Sequence, residues 1–361
     1  MLPEKRTSVI GMDLHTNRFN ICHLASDGTE KRKTYQIPEG LGDFMAGLTK
    51  EDVVVMEAST NSFRMAHLIR SQVKQAYVVD PHSLATIHQT SKKTDAVDAT
   101  KIAKAGMYHE RMDQDHLPLV TVPDEKMMEL RSLFTTYKKT VGHMTSVVNQ
   151  IHAKLKALLL PFNGKNLASQ KVRDEIAGLE MPWSYSMEIR LLYKELDALQ
   201  ENKEMLTELI CKHAKFYPEE IALILSLPGM SVMTALALKA DYIDISRFAN
   251  KKKFASYMRV APAVDQSNEQ SRPKGLNKRS RKLGLSFVLQ GLSHFYHSSP
   301  RLKEYREEKK KGKPAGEVQI LMARKLLDIL FSMLKNKELY RGRDIVAYNR
   351  KLKELDRIKT A

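Results

Sequence analysis

Cysteine is nearly absent from this chain: 361 residues contain only Cys22 and Cys211. They lie far apart, with no Cys or His neighbours at zinc spacing, which excludes a disulfide framework and a zinc site and leaves two inert thiols. Long apolar runs are missing too. No uncharged run approaches the roughly 18 or more apolar residues a spanning helix needs, and the opening MLPEKRTSVIGMD has no long apolar stretch before a cleavage site. The expectation is a soluble, cytoplasmic protein with no membrane partner. Acid is short relative to base, with 42 Asp and Glu against 59 Lys and Arg for a net charge of +17. At 42% hydrophobic and 28% charged residues, the chain is too apolar to be disordered. At roughly 100–200 residues per domain, its length predicts two or three domains.

The excess charge is unevenly placed. Residues 247–282 hold eleven basic residues (Arg247, Lys251, Lys252, Lys253, Arg259, Arg272, Lys274, Lys278, Arg279, Arg281 and Lys282) against Asp265 and Glu269. Residues 301–361 hold 18 basic and 9 acidic residues, 283–300 hold none, and the first 246 are close to neutral. A positive field confined to the C-terminal third attracts a polyanion. With no acylation signal or amphipathic anchor in view, nucleic acid fits better than a membrane surface.

Hydrophobic patterning divides the chain. Residues 7–14, 19–24 and 33–37 read as successive strands of an antiparallel meander, with Asp27-Gly28 turning between the second and third. A helix over 41–48, a buried strand at 53–56 ending at Glu57, a helix over 62–73 and a strand at 76–79 continue it as a mixed α/β sheet. From Pro123-Asp124, apolar residues from Met127 to Leu158 recur every three or four positions until Pro161, and a second amphipathic helix covers about 184–215. The pair reads as an antiparallel coiled-coil arm, or equally as bundle core or a dimer contact, with its methionines as core filling. Beyond 216 a helical region is expected, with helices near 283–297 and 316–334. Leu227-Pro228-Gly229-Met230-Ser231 opens a helix whose N–H groups could hold a phosphate, as in helix-hairpin-helix elements, although Ser231 occupies the place of a second glycine; a plain helix start fits equally.

Four carboxylates stand out: Asp13 ending the first strand, Glu57 ending the fourth, and Asp95 and Asp98 three apart on one face of a later helix. Convergence of four such groups calls for a hard cation, and Mg²⁺ takes oxygen ligands and can clamp a phosphodiester. This strand-one, strand-four, last-helix order is that of RNase H-like nucleases and transposases. The spacing by itself also fits helix capping by Asp95 and a strand-end turn at Asp13.

The stretches Ile10-Gly11-Met12-Asp13-Leu14-His15, Val54-Val55-Met56-Glu57-Ala58-Ser59 and Lys92-Lys93-Thr94-Asp95-Ala96-Val97-Asp98-Ala99 closely resemble the DEDD transposases. These are the insertion-sequence family numbered one hundred and ten, relatives of the Piv DNA invertases, known as bridge-RNA-guided recombinases. The resemblance runs over essentially the whole chain. It implies a RuvC-like (RNase H-like) domain at 1–115 with Asp13, Glu57, Asp95 and Asp98 binding Mg²⁺ (or Mn²⁺), a helical coiled-coil region at 116–215, and a mainly helical C-terminal transposase domain at 216–361. It further implies donor and target DNA as substrates, a structured bridge RNA pairing with both, and a tetramer, a dimer of dimers, in which one subunit's carboxylates work with another's serine.

A recombinase that conserves bond energy needs a protein hydroxyl to hold the cut strand, activated and supported by cations. Ser267 and Ser271 lie in the basic segment. In the family the catalytic serine follows a Pro-containing helix end in a Ser-Gly-x-x-x-Arg-Gly pattern, and the resemblance places Ser267 there, five residues after Pro262, with Arg272 as the family arginine. Asn268 and Pro273 depart from that pattern, and Ser271 is the second choice. Lys251, Lys252, Lys253, Arg272, Lys274, Lys278, Arg279, Arg281 and Lys282 are the expected nucleic-acid contacts. His294, Tyr296 and His297 share a helix but lack the Arg/His/Arg framework of a tyrosine recombinase, and buried packing is expected for them. Two rivals stay open: a Holliday-junction-resolving nuclease using the same carboxylates and water, and a non-catalytic nucleic-acid scaffold.

Overall fold

The computed structural model describes residues 8–87, 95–111, 117–160, 162, 166–265, 272–276 and 283–360, with the backbone alone at 85–87, 95–97, 262–265, 272–276 and 359–360. They fall into two compact units, Met1–Asp124 and Glu125–Ala361.

The first unit is built on a five-stranded mixed sheet. Strands β1 (Ser8–Leu14), β2 (Arg18–Leu24) and β3 (Glu30–Gln36) form an antiparallel meander. Helix α1 (Leu41–Ala46) leads to β4 (Asp52–Glu57), and α2 (Ser62–Ile69) to β5 (Gln75–Val79). Strand β4 pairs parallel to β1 and β5 parallel to β4, giving the order β3-β2-β1-β4-β5. Helices α3 (Pro81–Ile87) and α4 (Asp95–Arg111) follow. Alternation along the strands separates two cores. Ile10, Met12, Val54 and Met56 pack with Met65 and Ile69 of α2, while Val9, Val53 and Val55 pack with Ala99, Ile102 and Ala103 of α4. The meander and the fourth and fifth strands match the sequence pattern. The third strand begins three residues early, at Glu30, directly after a turn in which Gly28 has φ +89° and Asp27 accepts the Thr29 N–H at 2.8 Å. The helix expected over 62–73 stops at Ile69, because the chain must turn back into β5; Val73 still reaches the core.

The second unit begins with α5 (Glu125–Ala157), α6 (Gln170–Ala177) and α7 (Trp183–Lys212). Helices α5 and α7 are antiparallel. Their outer halves share a small core of Val147, Ile151 and Leu155 with Ile189 and Leu196, closed by Val172 and Ile176 of α6. At the base, Met127, Leu130, Phe134 and Ile210 join the main helical core. The pair is therefore an arm at one end and bundle core at the other.

That core comprises α8 (Pro218–Leu225), α9 (Val232–Tyr242), α10 (Lys251–Tyr257), α11 (Leu283–His297), α12 (Pro300–Lys310), α13 (Ala315–Asn336) and α14 (Ile345–Thr360). Every residue of α9 from Thr234 to Tyr242 is buried. Between α10 and α11, β6 (Pro262–Asp265) and β7 (Arg272–Leu276) pair antiparallel, a hairpin that the sequence pattern did not predict. The expected burial of His294 and His297 is corrected: both are exposed, because Val288, Leu292 and Phe295 take the core-facing side of α11. Tyr296 is half-buried, with the Arg306 guanidinium 4.2 Å from its ring centre. Among the described residues no helix is long and apolar enough to cross a membrane.

Candidate catalytic site

Two of the four carboxylates are placed by strand alternation. Val9 and Gly11 precede Asp13 at two-residue steps on the α4 face of β1, and Val53 and Val55 precede Glu57 in the same way on β4. Gly11 is paired in register with Val55, two residues before each acid. Asp13 and Glu57 therefore end neighbouring parallel strands on one face of the sheet.

Helix α4 brings the other two toward that end. A Cβ at Gly11 would overlap the carbonyl oxygen of Ala99 and the amide of Ala103, so glycine lets the helix backbone lie directly on β1. Farther along α4, a Cβ at Gly106 would lie 2.7 Å from Val55 Cγ2 and 2.8 Å from Val9 Cγ1. Passing from Ala99 to Gly106 thus moves from Gly11 back toward Val9, so α4 runs opposite to β1. Its first two turns, with Asp95 and Asp98, lie toward the strand ends that carry Asp13 and Glu57. Sequence reasoning overlooked Gly11, Ala99, Ala103 and Gly106. The available signal was a row of small residues on one face of the helix that bears the Asp pair.

The electrostatic setting differs among these acids. Asp13 Oδ2 lies 3.1 Å from His15 Nε2, with the Asp13 side chain 19% exposed. Asn61 Nδ2 donates to the His15 carbonyl at 2.9 Å, tying the loop after β1 to the loop after β4. These loops border a groove of about 690 Å³ that includes Arg18, Ser59 and Asn61. Asp98 Oδ1 accepts from Lys101 Nζ at 3.1 Å, one turn along α4. Among the described residues no three His, Cys, Asp or Glu side chains form a group able to hold a metal ion. The Asp95 side chain lies outside the described residues.

The serine-bearing segment belongs to the second unit. Asp265 pairs with Arg272 across β6 and β7; Ser267 and Ser271, between those strands, lie outside the described residues, as do Lys278, Arg279, Arg281 and Lys282. Arg272 and Lys274 are placed on β7 by backbone alone. Before the hairpin, Asn250 caps α10 by accepting the Lys252 and Lys253 N–H groups at 3.1 Å. Lys251, Lys252 and Lys253 are exposed on that first turn, while Phe254 is fully buried beneath it. At the Pro228-Gly229 turn, Gly229 has φ +79° and a Cβ there would overlap the Gly291 carbonyl. Ser231 is an N-cap whose Oγ accepts the Thr234 N–H at 3.1 Å, so that donor is already engaged. Burial pushes the Cys211 thiol up to about 11, in keeping with an unreactive role.

Two transposase family models match this chain. Residues 10–160 match the DEDD transposase model of the IS110 family, and residues 221–307 match the model described as Transposase IS116/IS110/IS902 family. The chain is 20% identical to the transposase for insertion sequence element IS1111A of Coxiella burnetii over 354 residues, covering 93% of this chain and 92% of that one. It is also 20% identical to a probable family 20 transposase of Pseudomonas aeruginosa over 297 residues, 80% of this chain and 86% of the relative.

Proposed function

We propose that this chain, an enzyme of DNA strand cleavage and rejoining that carries IS110-family transposase domains, is the site-specific recombinase of an insertion sequence and cuts through Ser267. The observation that carries the reading is the placement of Asp13 and Glu57 on one sheet face with the acidic start of α4 directed toward them. The sheet order β3-β2-β1-β4-β5, with a meander followed by parallel strands, supports an RNase H-like, RuvC-like assignment for this unit.

Asp13, Glu57, Asp95 and Asp98 offer only oxygen donors, the set that Mg²⁺ or Mn²⁺ takes, and such an ion when bound supplies positive charge to a scissile phosphate. In the cleavage step, the Ser267 Oγ–phosphorus bond forms and the phosphorus–O3′ bond breaks. The serine proton is released and the departing 3′ oxygen leaves as a hydroxyl, so the strand is held as a 5′-phosphoserine. Rejoining is the reverse attack by a new 3′ hydroxyl. The exposed Lys251, Lys252 and Lys253, with the basic residues from Arg272 to Lys282, hold the nucleic-acid backbone. Resemblance to the bridge-RNA-guided recombinases extends the reading to a structured guide RNA and to a tetramer in which one copy's carboxylates serve another's serine.

The carboxylate placement equally serves a junction-resolving nuclease that attacks with water. Trapping separates the two. The protein is incubated with its co-purifying RNA and donor and target DNA, quenched in denaturant, and resolved for a covalent protein–DNA species. The recombinase forms an adduct that protease removes and Ser267→Ala lacks; metal-dependent cutting without an adduct in the wild type identifies the nuclease.

A further inference from the structure

Both ends of the segment that contains the β6–β7 hairpin are tied to one residue, Asp241. It lies in the last turn of α9 and is only 1% exposed. A carboxylate at the C-terminus of its own helix faces the negative end of that dipole, an unfavourable place unless another partner compensates. One such partner is the start of α11. Asp241 Oδ2 accepts the N–H of Gly284, the second residue of α11, at 2.7 Å, taking a donor that has no partner within its own helix. Asp241 thus acts as an N-cap supplied from a different element. A Cβ at Gly284 would lie 3.2 Å from that same Oδ2 and from Leu238 Cα, so the glycine keeps α11 seated on α9.

The backbone carbonyl of Asp241, left over at the end of α9, is used as well. It accepts from Tyr257 Oη, the final residue of α10, at 3.0 Å. The preceding carbonyl, that of Ala240, accepts from Arg131 Nε of α5 at 2.7 Å, which fixes the anchor itself. Tyr257 precedes the hairpin and Gly284 follows it, so one buried residue receives the entry of the segment on its main chain and the exit on its side chain.

We propose that Asp241 is a positioning residue that sets the two roots of the β6–β7 hairpin relative to each other and thereby orients the serine between its strands. The orientation of the serine rests on the reading of Ser267 as nucleophile; the setting of the roots does not. Loss of the carboxylate removes the cap from the start of α11, which Leu283 and Leu285 still pack into the core, while the Tyr257 contact to the Asp241 carbonyl remains, so only the exit root loses its polar tie.

The test uses the full-length protein with its RNA and DNA and compares Asp241→Ala, Asp241→Asn and Tyr257→Phe with wild type. Three quantities are read: the single-turnover rate of adduct formation, the Kd for the same DNA, and the rate of tryptic cleavage between Arg272 and Lys282 well below each variant's Tm. A hydrogen bond to a charged group supports an effect of roughly ten- to a hundred-fold. Asp241→Ala is expected to slow adduct formation by about that factor and to speed cleavage in 272–282, with Kd within about twofold. Asp241→Asn retains an acceptor oxygen and should restore most of the rate, while Tyr257→Phe should show a smaller loss of the same kind. If Asp241→Ala leaves both the adduct rate and tryptic cleavage unchanged, or if Asn and Ala fall equally with Tm and Kd, the positioning role is overturned. If Ser267→Ala still forms the adduct, the nucleophile reading fails instead, and tryptic cleavage alone decides whether Asp241 sets the hairpin roots.

Discussion

Asp52 and Asp98 show how surroundings divide the work of one residue type. Asp52, at the start of β4, is buried among Thr49, Ser8 and His23. Burial pushes its carboxyl up, but hydrogen bonds from His23, Ser8 and Thr49 outweigh that and hold it down to about 2. A folded value below the unfolded one means that the stabilisation is complete above about pH 4 and is lost as pH falls through about 2. Asp52→Asn is expected to cost about 2 kcal/mol at neutral pH, with the gap to wild type closing between about pH 4 and 2 in denaturant titrations. Asp98 is 32% exposed and contributes no core packing. Asp98→Asn should abolish strand cleavage while Tm and nucleic-acid affinity stay near wild type; wild-type cleavage rates would remove Asp98 from the metal assignment. For the serines, Ser267→Ala should eliminate the adduct and Ser271→Ala should retain it on a denaturing gel, and the opposite result would shift the register by four residues.

Between elements, the contact of α4 with β1 is the one on which the carboxylate arrangement depends. At Gly11 an added methyl would meet helix backbone, which cannot rotate aside, whereas at Gly106 it would meet valine side chains, which can partly give. Overpacking costs about 1–3 kcal/mol where neighbours adjust and more where they cannot. Gly11→Ala should therefore destabilise the first unit more than Gly106→Ala and lose cleavage even where the protein stays folded, as read by chemical denaturation beside a cleavage assay. Strands β1, β2, β4 and β5 were legible because their apolar residues alternate or run continuously, whereas the first half of β3, Glu-Lys-Arg-Lys, is polar and exposed and its start was not. Nor was the hairpin: Pro-Ala-Val-Asp and Arg-Pro-Lys-Gly-Leu each contain a proline, which argues against a strand, and their pairing is seen only in the structure. Likewise the three-residue spacing of His294 and His297 puts them on one side of a helix but does not say which side meets the core.

Across the whole molecule, the C-terminal positive charge predicts a steep fall of nucleic-acid affinity with salt, at a log-log slope of roughly −0.9 per phosphate contact on duplex DNA. Deleting 247–282 would remove Phe254 from the core along with the charges, so neutralisation is the cleaner measurement. Changing Lys251, Lys252 and Lys253 together to Gln should flatten the slope by up to about 2.7, while the same number of changes at Lys31, Arg32 and Lys33 in the near-neutral first unit should flatten it less. A slope indifferent to the first set would show that the polyanion is held elsewhere.

The chain order of the first five strands, the two long helices, the location of the charge and the choice of four candidate carboxylates came from the sequence alone, because each is a local pattern of polarity or a short motif. The direction in which α4 crosses β1, the double use of α5 and α7 as arm and core, and the attachment of both hairpin roots to Asp241 were decided only in the tertiary structure. Each of these depends on a close approach between residues distant in the chain: Gly11 with Ala99 and Ala103, Phe134 with Phe287, and Asp241 with Tyr257 and Gly284. Local periodicity indicates that a residue is apolar, small or charged, but a missing Cβ or a buried carboxylate acquires its purpose only from the backbone that packing brings against it.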